Sequence, residues 1–371
     1  MRTFVEISRA GLAANYRAIR AAVGEQVEIL AVVKADAYGH GAVRVAQTLE
    51  DAGARWFAVT SIEEGIELRR HGIGGRIVVL AECARSELNT IAEFNLTLML
   101  HSIEDLRDLD AWARMRECCP RFHLKFDSGM GRLGLAEARA SDVAELLVAC
   151  PHLRLEGLAT HFASAEDLSA GQTEQQLQRF TQLVDQLAAR GIRPAFVHAA
   201  NSAALAYRPD TWGSMARPGL ALYGYLMPPR GATAAARFEV QPVLTWKAQI
   251  LTIKDVPAGA ALGYNATFRT ERPMRIGVVA AGYADGLDRR LSNGGFVLAA
   301  GARAPIVGLV SMDVCLVDLS AAPGLRPGDY VTLLGREGDQ ILDAAEIAES
   351  CGTIPYEVLV RIGRRVTRVY R

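Results

Sequence analysis

From Glu28 to about Gly224 the chain alternates short, continuous apolar runs with longer segments whose apolar residues recur every three or four positions. The runs EILAVV (28–33), WFAVT (56–60), RIVVL (76–80), LTLML (96–100), RFHLKF (121–126), LRLEGLAT (153–160), AFVHA (195–199) and ALYG (221–224) predict strands. The intervening segments, SIEEGIELRRHG and the stretch from Gly171 to Gly191 among them, carry the helical period. Strands that are apolar along their whole length suit a parallel sheet covered on both faces. Eight of them with crossover helices in about 200–250 residues fit a TIM-type (β/α)8 barrel better than an open doubly wound sheet.

Beyond about Pro229 the pattern changes. The stretch MPPRGATAAARFE leads into alternating runs such as VLTWKAQILTI, RIGVVAAGY, APIVGLVSMDVCLVDL and DYVTLLG, separated by VPAG, SNGG, RPGD and GREGD turns. The expected division is a barrel over residues 9–230 and a mostly β domain over 237–371, interrupted by one short helix in LDAAEIAESCG. RTFVEIS alternates like a strand, so residues 1–8 are expected to join the C-terminal sheet before Ser8 caps the first helix.

Composition narrows the class. The 371 residues are 50% hydrophobic and 22% charged, with 41 basic and 41 acidic side chains. A balanced charge argues against a nucleic-acid partner, for which a basic excess is expected. The six cysteines are scattered without a C-x-x-C pair, so neither a metal site nor a disulfide framework is expected. No signal-peptide pattern opens the chain and no apolar run reaches the ~18 residues of a membrane span. A cytoplasmic protein without membrane contact is expected.

In such a barrel, chemistry collects at the carboxyl ends of the strands. Lys34 follows the first strand, Arg132 lies in DSGMGRLG after the fifth, and His161 follows the sixth in ATHFAS. His198 is in the seventh strand, Asn201 and Ser202 open the next helix, and Arg217 and Gly219 precede ALYG. Taken singly, each has an ordinary explanation: a solvated strand end, a structural histidine, an ion pair, a helix cap. Their convergence on one face is what points to chemistry. A lysine able to form a Schiff base is the attachment point for pyridoxal phosphate, an electron sink for reactions at an amino acid's α-carbon. Ser202, the Gly219–Leu220 turn and Tyr38 are candidates for its phosphate. Arg217 is the candidate for its pyridine nitrogen. An arginine stays protonated, so it donates a hydrogen bond and leaves that nitrogen unprotonated. The weakened sink then favours return of a proton to Cα over reaction at the cofactor's C4′.

The segments AVVKADAYGHGA, KFDSGMGRLG, ATHFA, HAANSAA, ARPGLALYG, LGYNATF, GYADGL, GLVSMD and IPYEVL, in this order across almost the whole chain, resemble alanine racemase. The resemblance implies a pyridoxal-phosphate enzyme with an N-terminal (β/α)8 barrel and a C-terminal β domain. It also implies a homodimer whose active sites are each completed by the partner's β domain. By position, Lys34 resembles the Schiff-base lysine and the base on the D-alanine side, and Tyr264 the opposing base on the L-alanine side. Tyr38, Ser202, Gly219, Leu220 and Tyr356 match phosphate-binding positions, with Asn201 beside them among the cofactor-binding candidates. Arg217 matches the arginine at the pyridine nitrogen. His161 and His198 match histidines around the cofactor, His161 linking towards Tyr264. Arg132 and the backbone N–H of Met312 resemble the groups that hold the substrate carboxylate. Lys125 matches a lysine often carbamylated in this family.

One departure is Leu309 in GLVSMD, where many relatives have an arginine along the substrate entrance. It bears on how broad a range of substrates is accepted. Rival readings are a racemase of broader specificity, a decarboxylase of the same architecture, and a non-catalytic pyridoxal-phosphate-binding barrel. Arg217 speaks against the decarboxylase, which normally places an acid at that nitrogen. The C-terminal domain that carries Tyr264 speaks against the binding protein.

Overall fold

The computed structural model describes all 371 residues, which fall into two compact units. One comprises Leu12–Ala37 and Ala42–Gln241, the other Met1–Gly11, Tyr38–Gly41 and Pro242–Arg371.

The first unit is a parallel barrel. Its strands are Glu28–Val32, Trp56–Val59, Arg76–Val79, Leu96–Leu100, Arg121–Asp127, Arg154–Ala159, Phe196–His198 and Met215–Ala216, the first seven each paired with the next and the eighth paired with the first. The seventh and eighth meet through Ser214 N–H to Val197 O (3.0 Å) and Arg217 N–H to Ala200 O (2.9 Å). The eight-stranded barrel read from the apolar runs is thus present, with one correction. ALYG is not its eighth strand: Leu220–Tyr223 is a 3-10 turn, and the strand is the two-residue Met215–Ala216. Arg217 and Gly219 therefore follow the last strand rather than precede it.

The crossover helices begin where their sequence says they should. Ser61 and Ser102 each accept the N–H of the third helical residue, Glu64 and Asp105, whose carboxylates return to the cap backbone. Such reciprocal boxes satisfy donors that a helix start otherwise leaves open. The 172–189 helix lays Phe180, Leu183 and Leu187 against the barrel unit's core.

The second unit is mostly β. The long strand Leu244–Val256 pairs antiparallel with Thr3–Ile7, Tyr330–Glu337 and Met274–Val279. Thr367–Tyr370 lies parallel to Thr3–Ile7. Two helices, Ala344–Ser350 and Pro355–Val360, interrupt it rather than the single one expected. Pro355 at the first turn explains the second, because a residue without an N–H costs nothing there. No helix is long and apolar enough to cross a membrane.

Candidate active site

Lys34 leaves the first barrel strand and enters a turn of unusual hand. Ala35, Asp36, Ala37 and Tyr38 all have φ between 52° and 54°, a left-handed helical turn without a glycine. For L-residues this conformation costs about 1–2 kcal/mol each, so surrounding bonds must hold it. The Glu64 carboxylate accepts the N–H of Ala35 (2.6 Å) and of Thr60 (2.7 Å). Asp36 Oδ1 accepts the N–H of Ala42 (2.8 Å), and Ala37 N–H bonds Val33 O (2.9 Å). Lys34 is half-buried. Burial and the charge of Arg132 depress its amine pKa, with Glu64 acting in the opposite direction.

After the fifth strand, Asp127 organises the glycine-rich loop. Its oxygens accept the N–H of Gly129 (2.9 Å), Met130 (2.7 Å) and Arg132 (2.8 Å). Burial works to raise this carboxyl, but the backbone donors outweigh it and hold it below its usual range. Gly134, at φ 124°, approaches so closely that a Cβ would lie 2.8 Å from Asp127 N. The loop presents Arg132 exposed, while Lys125 on the strand is buried. Burial, Arg132 and Arg217 lower the Lys125 amine to about 8.

Arg217 is the hub. Only 7% exposed, it gives Nη1 to His198 O and His198 Nδ1 (both 2.8 Å). Its Nη2 faces Thr160 O (2.6 Å), Ala199 O (2.9 Å) and His161 Nδ1 (3.3 Å). Every acceptor is neutral, and the Nε–H is left without a protein partner. Burial lowers this guanidinium to about 10, so it remains charged at neutral pH. His198 and His161 are pushed well below the usual imidazole range, by burial first and then by Arg217. Both rings are therefore neutral, with Nδ1 as acceptor and the proton on Nε2.

Ser202 Oγ accepts the N–H of Gly219 (3.0 Å) and Ala221 (3.2 Å). Its own proton is thereby left for an outside acceptor, as is the Leu220 N–H. The cap of the helix that starts at Ser202 is Asn201, whose Oδ1 accepts the Ala204 N–H at 3.0 Å. Asn201 shapes the turn that presents Ser202.

The second unit carries the other candidates. Tyr38 and Tyr356 stand with ring centroids 5.8 Å apart. Tyr264 tips the short hairpin Ala261–Leu262/Phe268–Arg269 and is 68% exposed. Leu262, Met274, Ile276 and Val307, with Phe268 packed on them, form the apolar cluster beneath that hairpin. Met312 is exposed; its carbonyl accepts the Ala284 N–H (3.0 Å), and its own N–H donates to no group of the chain. Leu309 lies beside Gly263, the residue before Tyr264.

Several residues around the site escape a reading by motif. Glu64 clamps the Lys34 turn, and Gln176 ties the His161 loop by bonding His161 O (3.0 Å) and Ala163 N–H (2.9 Å). His123 sits behind His198, with Nδ1 2.9 Å from His198 Nε2. A signal for His123 exists: Arg121, His123 and Lys125 alternate along one strand, the period of a single barrel face.

Known proteins share this chain's sequence and fold. Residues 7–227 match the family model of the alanine racemase N-terminal domain, and residues 243–370 that of the alanine racemase C-terminal domain. The alanine racemase of Symbiobacterium thermophilum is 39% identical over 99% of this chain and 97% of its own length. The structure of alanine racemase from Bacillus anthracis with bound L-Ala-P superposes with a TM-score of 0.92 at 36% identity, covering 100% of this chain and 95% of that one. That from Bartonella henselae with covalently bound pyridoxal phosphate gives 0.89 at 29% identity over the full length of both. With its sequence matched from end to end and its barrel and β unit both reproduced, the chain belongs to the alanine racemase family.

Proposed function

We propose that this chain interconverts L- and D-alanine with pyridoxal phosphate, using Lys34 and the Tyr264 of a second copy as opposed bases. The observation that carries this reading is Arg217. It is a charged guanidinium held by neutral acceptors alone, with one donor to spare and no carboxylate touching it. The donor set fits the cofactor: a half-buried lysine of lowered basicity for its aldehyde, the spare Arg217 Nε–H for its ring nitrogen, and the Ser202 hydroxyl with the Leu220 N–H for its phosphate. Tyr38 and Tyr356 are further phosphate-binding candidates by their place in the family's motifs.

Bound through Lys34, pyridoxal phosphate supplies the electron sink for the substrate's α-carbon. Arg217 donates to the ring nitrogen and does not surrender its proton, because even at about 10 it is far more basic than a pyridine. Lys34 moves the α-proton on one face. On the other face Tyr264 is the base, and a phenol acts as one only when a donor stabilises its phenolate. His161 supplies it: with Nδ1 occupied by Arg217, its Nε2–H is the free donor that stabilises a phenolate. Arg132, held by Asp127, and the Met312 N–H hold the substrate carboxylate. Lys125 at about 8 has a substantial neutral fraction, the form that takes up CO2, and as a carbamate it orients Arg132.

In this reading the active form is a homodimer, in which the exposed Tyr264 hairpin of one copy serves the barrel of the other. Whether D-alanine is made for the cell wall or consumed, the chemistry is the same. The test is the optical activity of L-alanine with purified protein and pyridoxal phosphate. Decay to zero without loss of amino acid is expected; a flat trace with cofactor bound would defeat the reading.

A further inference from the structure

The fifth and sixth barrel strands pair in register except at one place. Phe122 faces Leu155 and His123 faces Gly157, so Glu156 is the extra residue of a β-bulge. Bulges leave one residue unpaired and re-aim its side chain. Here the buried Glu156 carboxylate meets Arg76 through two contacts (2.9 and 2.5 Å) and Arg121 through one (3.4 Å). Arg76 and Arg121 are the first residues of the third and fifth strands, so this cluster lies at the amino-terminal end of the barrel. The carboxylate is also 3.8 Å from His123 Nε2. Gly157 makes room for that imidazole: a Cβ there would lie 2.4 Å from His123 Nδ1.

From His123 a line of hydrogen bonds continues to the opposite end. His123 Nδ1 is 2.9 Å from His198 Nε2, and His198 Nδ1 is 2.8 Å from Arg217 Nη1. Both rings are 0% exposed, and His123 is packed by Trp56 and Phe196. Burial pushes both imidazoles below their usual range, so each carries one proton. Arginine only donates, so His198 Nδ1 accepts and its proton sits on Nε2. That proton goes to His123 Nδ1, whose own proton then sits on Nε2, which makes no hydrogen bond within the chain and has the Glu156 carboxylate 3.8 Å away. Each link fixes the next, and an anionic carboxylate near that Nε2–H suits the line, whereas a donor there would oppose it.

We propose that Glu156 is a positioning residue, an ionised carboxylate that holds the tautomers of His123 and His198 in the pattern Arg217 requires, and so supports from the far end of the barrel the lone pair aimed at Arg217. Its bearing on catalysis rests on Arg217 serving the cofactor nitrogen as proposed above; the tautomer claim does not. The groups facing the line are Arg76, Arg121 and His123 around Glu156, and His123 and Arg217 around His198.

The experiment is NMR of the full-length protein labelled with 15N in histidine, both without cofactor and loaded with pyridoxal phosphate. In the wild type, His123 and His198 are expected protonated on Nε2 alone. Glu156→Gln keeps the shape but can turn an amide N–H towards His123, making Nε2 an acceptor. Both tautomers should then reverse, setting His198 Nδ1–H against Arg217. The turnover number should fall about tenfold or more, the scale of one oriented hydrogen bond to a charged group, with the alanine KM unchanged. Glu156→Asp should restore the wild-type tautomers and most of the turnover. A Glu156→Gln protein with wild-type tautomers overturns the proposal. Should that variant not fold, the wild type decides alone: a proton on Nδ1 of either ring overturns it. A wild type that binds cofactor but does not racemise alanine would count against the proposed function, and the tautomers would still decide this inference.

Discussion

The left-handed turn after Lys34 makes one substitution act with opposite signs at two places. Ala35 is exposed with φ 52° and ψ 52°, so its methyl group fills no cavity and stands in a conformation that costs about 1–2 kcal/mol. Ala35→Gly removes that cost. Glycine also gives the unfolded chain more freedom, which takes back about 0.5–1 kcal/mol. The balance runs from about zero to about 1.5 kcal/mol of added stability. Ala14 is equally exposed but lies inside the right-handed helix Arg9–Val23, where the same change costs about 1 kcal/mol. The two variants should therefore move the urea midpoint in opposite directions, or at the lower limit separate by the full cost at Ala14. The Ala35 backbone N–H to Glu64 survives the substitution, so no hydrogen bond enters the difference. Equal losses from Ala35→Gly and Ala14→Gly would mean that the chain after Lys34 is not left-handed in solution.

Glu156 offers a pH test. Burial acts to raise its carboxyl, but the contacts with His123 and Arg76 outweigh it and hold it at about 2. A depressed carboxyl contributes stability that is complete above its unfolded value of about 4.3 and is lost as pH falls towards 2. Stability followed from pH 6 to pH 2 should drop by roughly 2 kcal/mol more in the wild type than in Glu156→Gln, and parallel curves would contradict the assignment. For Lys125, 13C NMR under 13CO2 should show a carbamate that fades as pH falls below about 8, since protonation removes the nucleophile; a spectrum with no carbamate at any pH would exclude the modification. Tyr264→Phe should keep its cofactor and lose racemisation roughly 10²-fold or more. Mixing it with inactive Lys34→Ala and allowing the subunits to exchange should restore about a quarter of full activity, because half the dimers are mixed and each has one intact site; no recovery after verified exchange would place both bases in one chain.

How far the chain could be read depended on which physical term wrote each element. The first seven barrel strands carry enough buried aliphatic residues to be seen as runs. The eighth does not: Met215–Ala216 is two residues long, too short for any period, and its role comes from backbone bonds to the Glu28–Val32 strand. ALYG looked more like a strand because burial alone makes an apolar run, and Leu220–Tyr223 is buried as a turn. KADAY was opaque for a different reason. Alanine and lysine favour a right-handed helix, and the opposite hand is imposed from Glu64, far along the chain. Catalytic candidates stood out by residue type at strand ends, whereas their supports did not. Yet Glu156–Gly157 carried a signal, since a glycine inside a strand pattern marks a bulge.

The electrostatics of the barrel unit tie these parts together. Beyond the effect of burial, Arg132 lowers the basicity of Lys34, Arg132, Arg217 and Lys34 that of Lys125, and all four cations that of His161. A cluster of like charges is costly unless something negative arrives, and a phosphate and a substrate carboxylate are both negative. The site is therefore left short of counter-charge in the unbound chain, although acidic and basic residues balance at 41 each overall. The carboxylates nearby are spent on backbone N–H groups: Glu64 on Ala35 and Thr60, Asp127 on its loop, Asp36 on Ala42. The remaining one, Glu156, is connected to Arg217 only through two neutral imidazoles. An acid in direct contact with Arg217 would have offered a proton towards the ring nitrogen and strengthened the electron sink. With the carboxylate of this line at the other end of the barrel, met there by Arg76 and Arg121, Arg217 is left a pure donor. The distance between Glu156 and the proposed cofactor site keeps an acidic group away from the ring nitrogen, which is what a purely donating Arg217 requires.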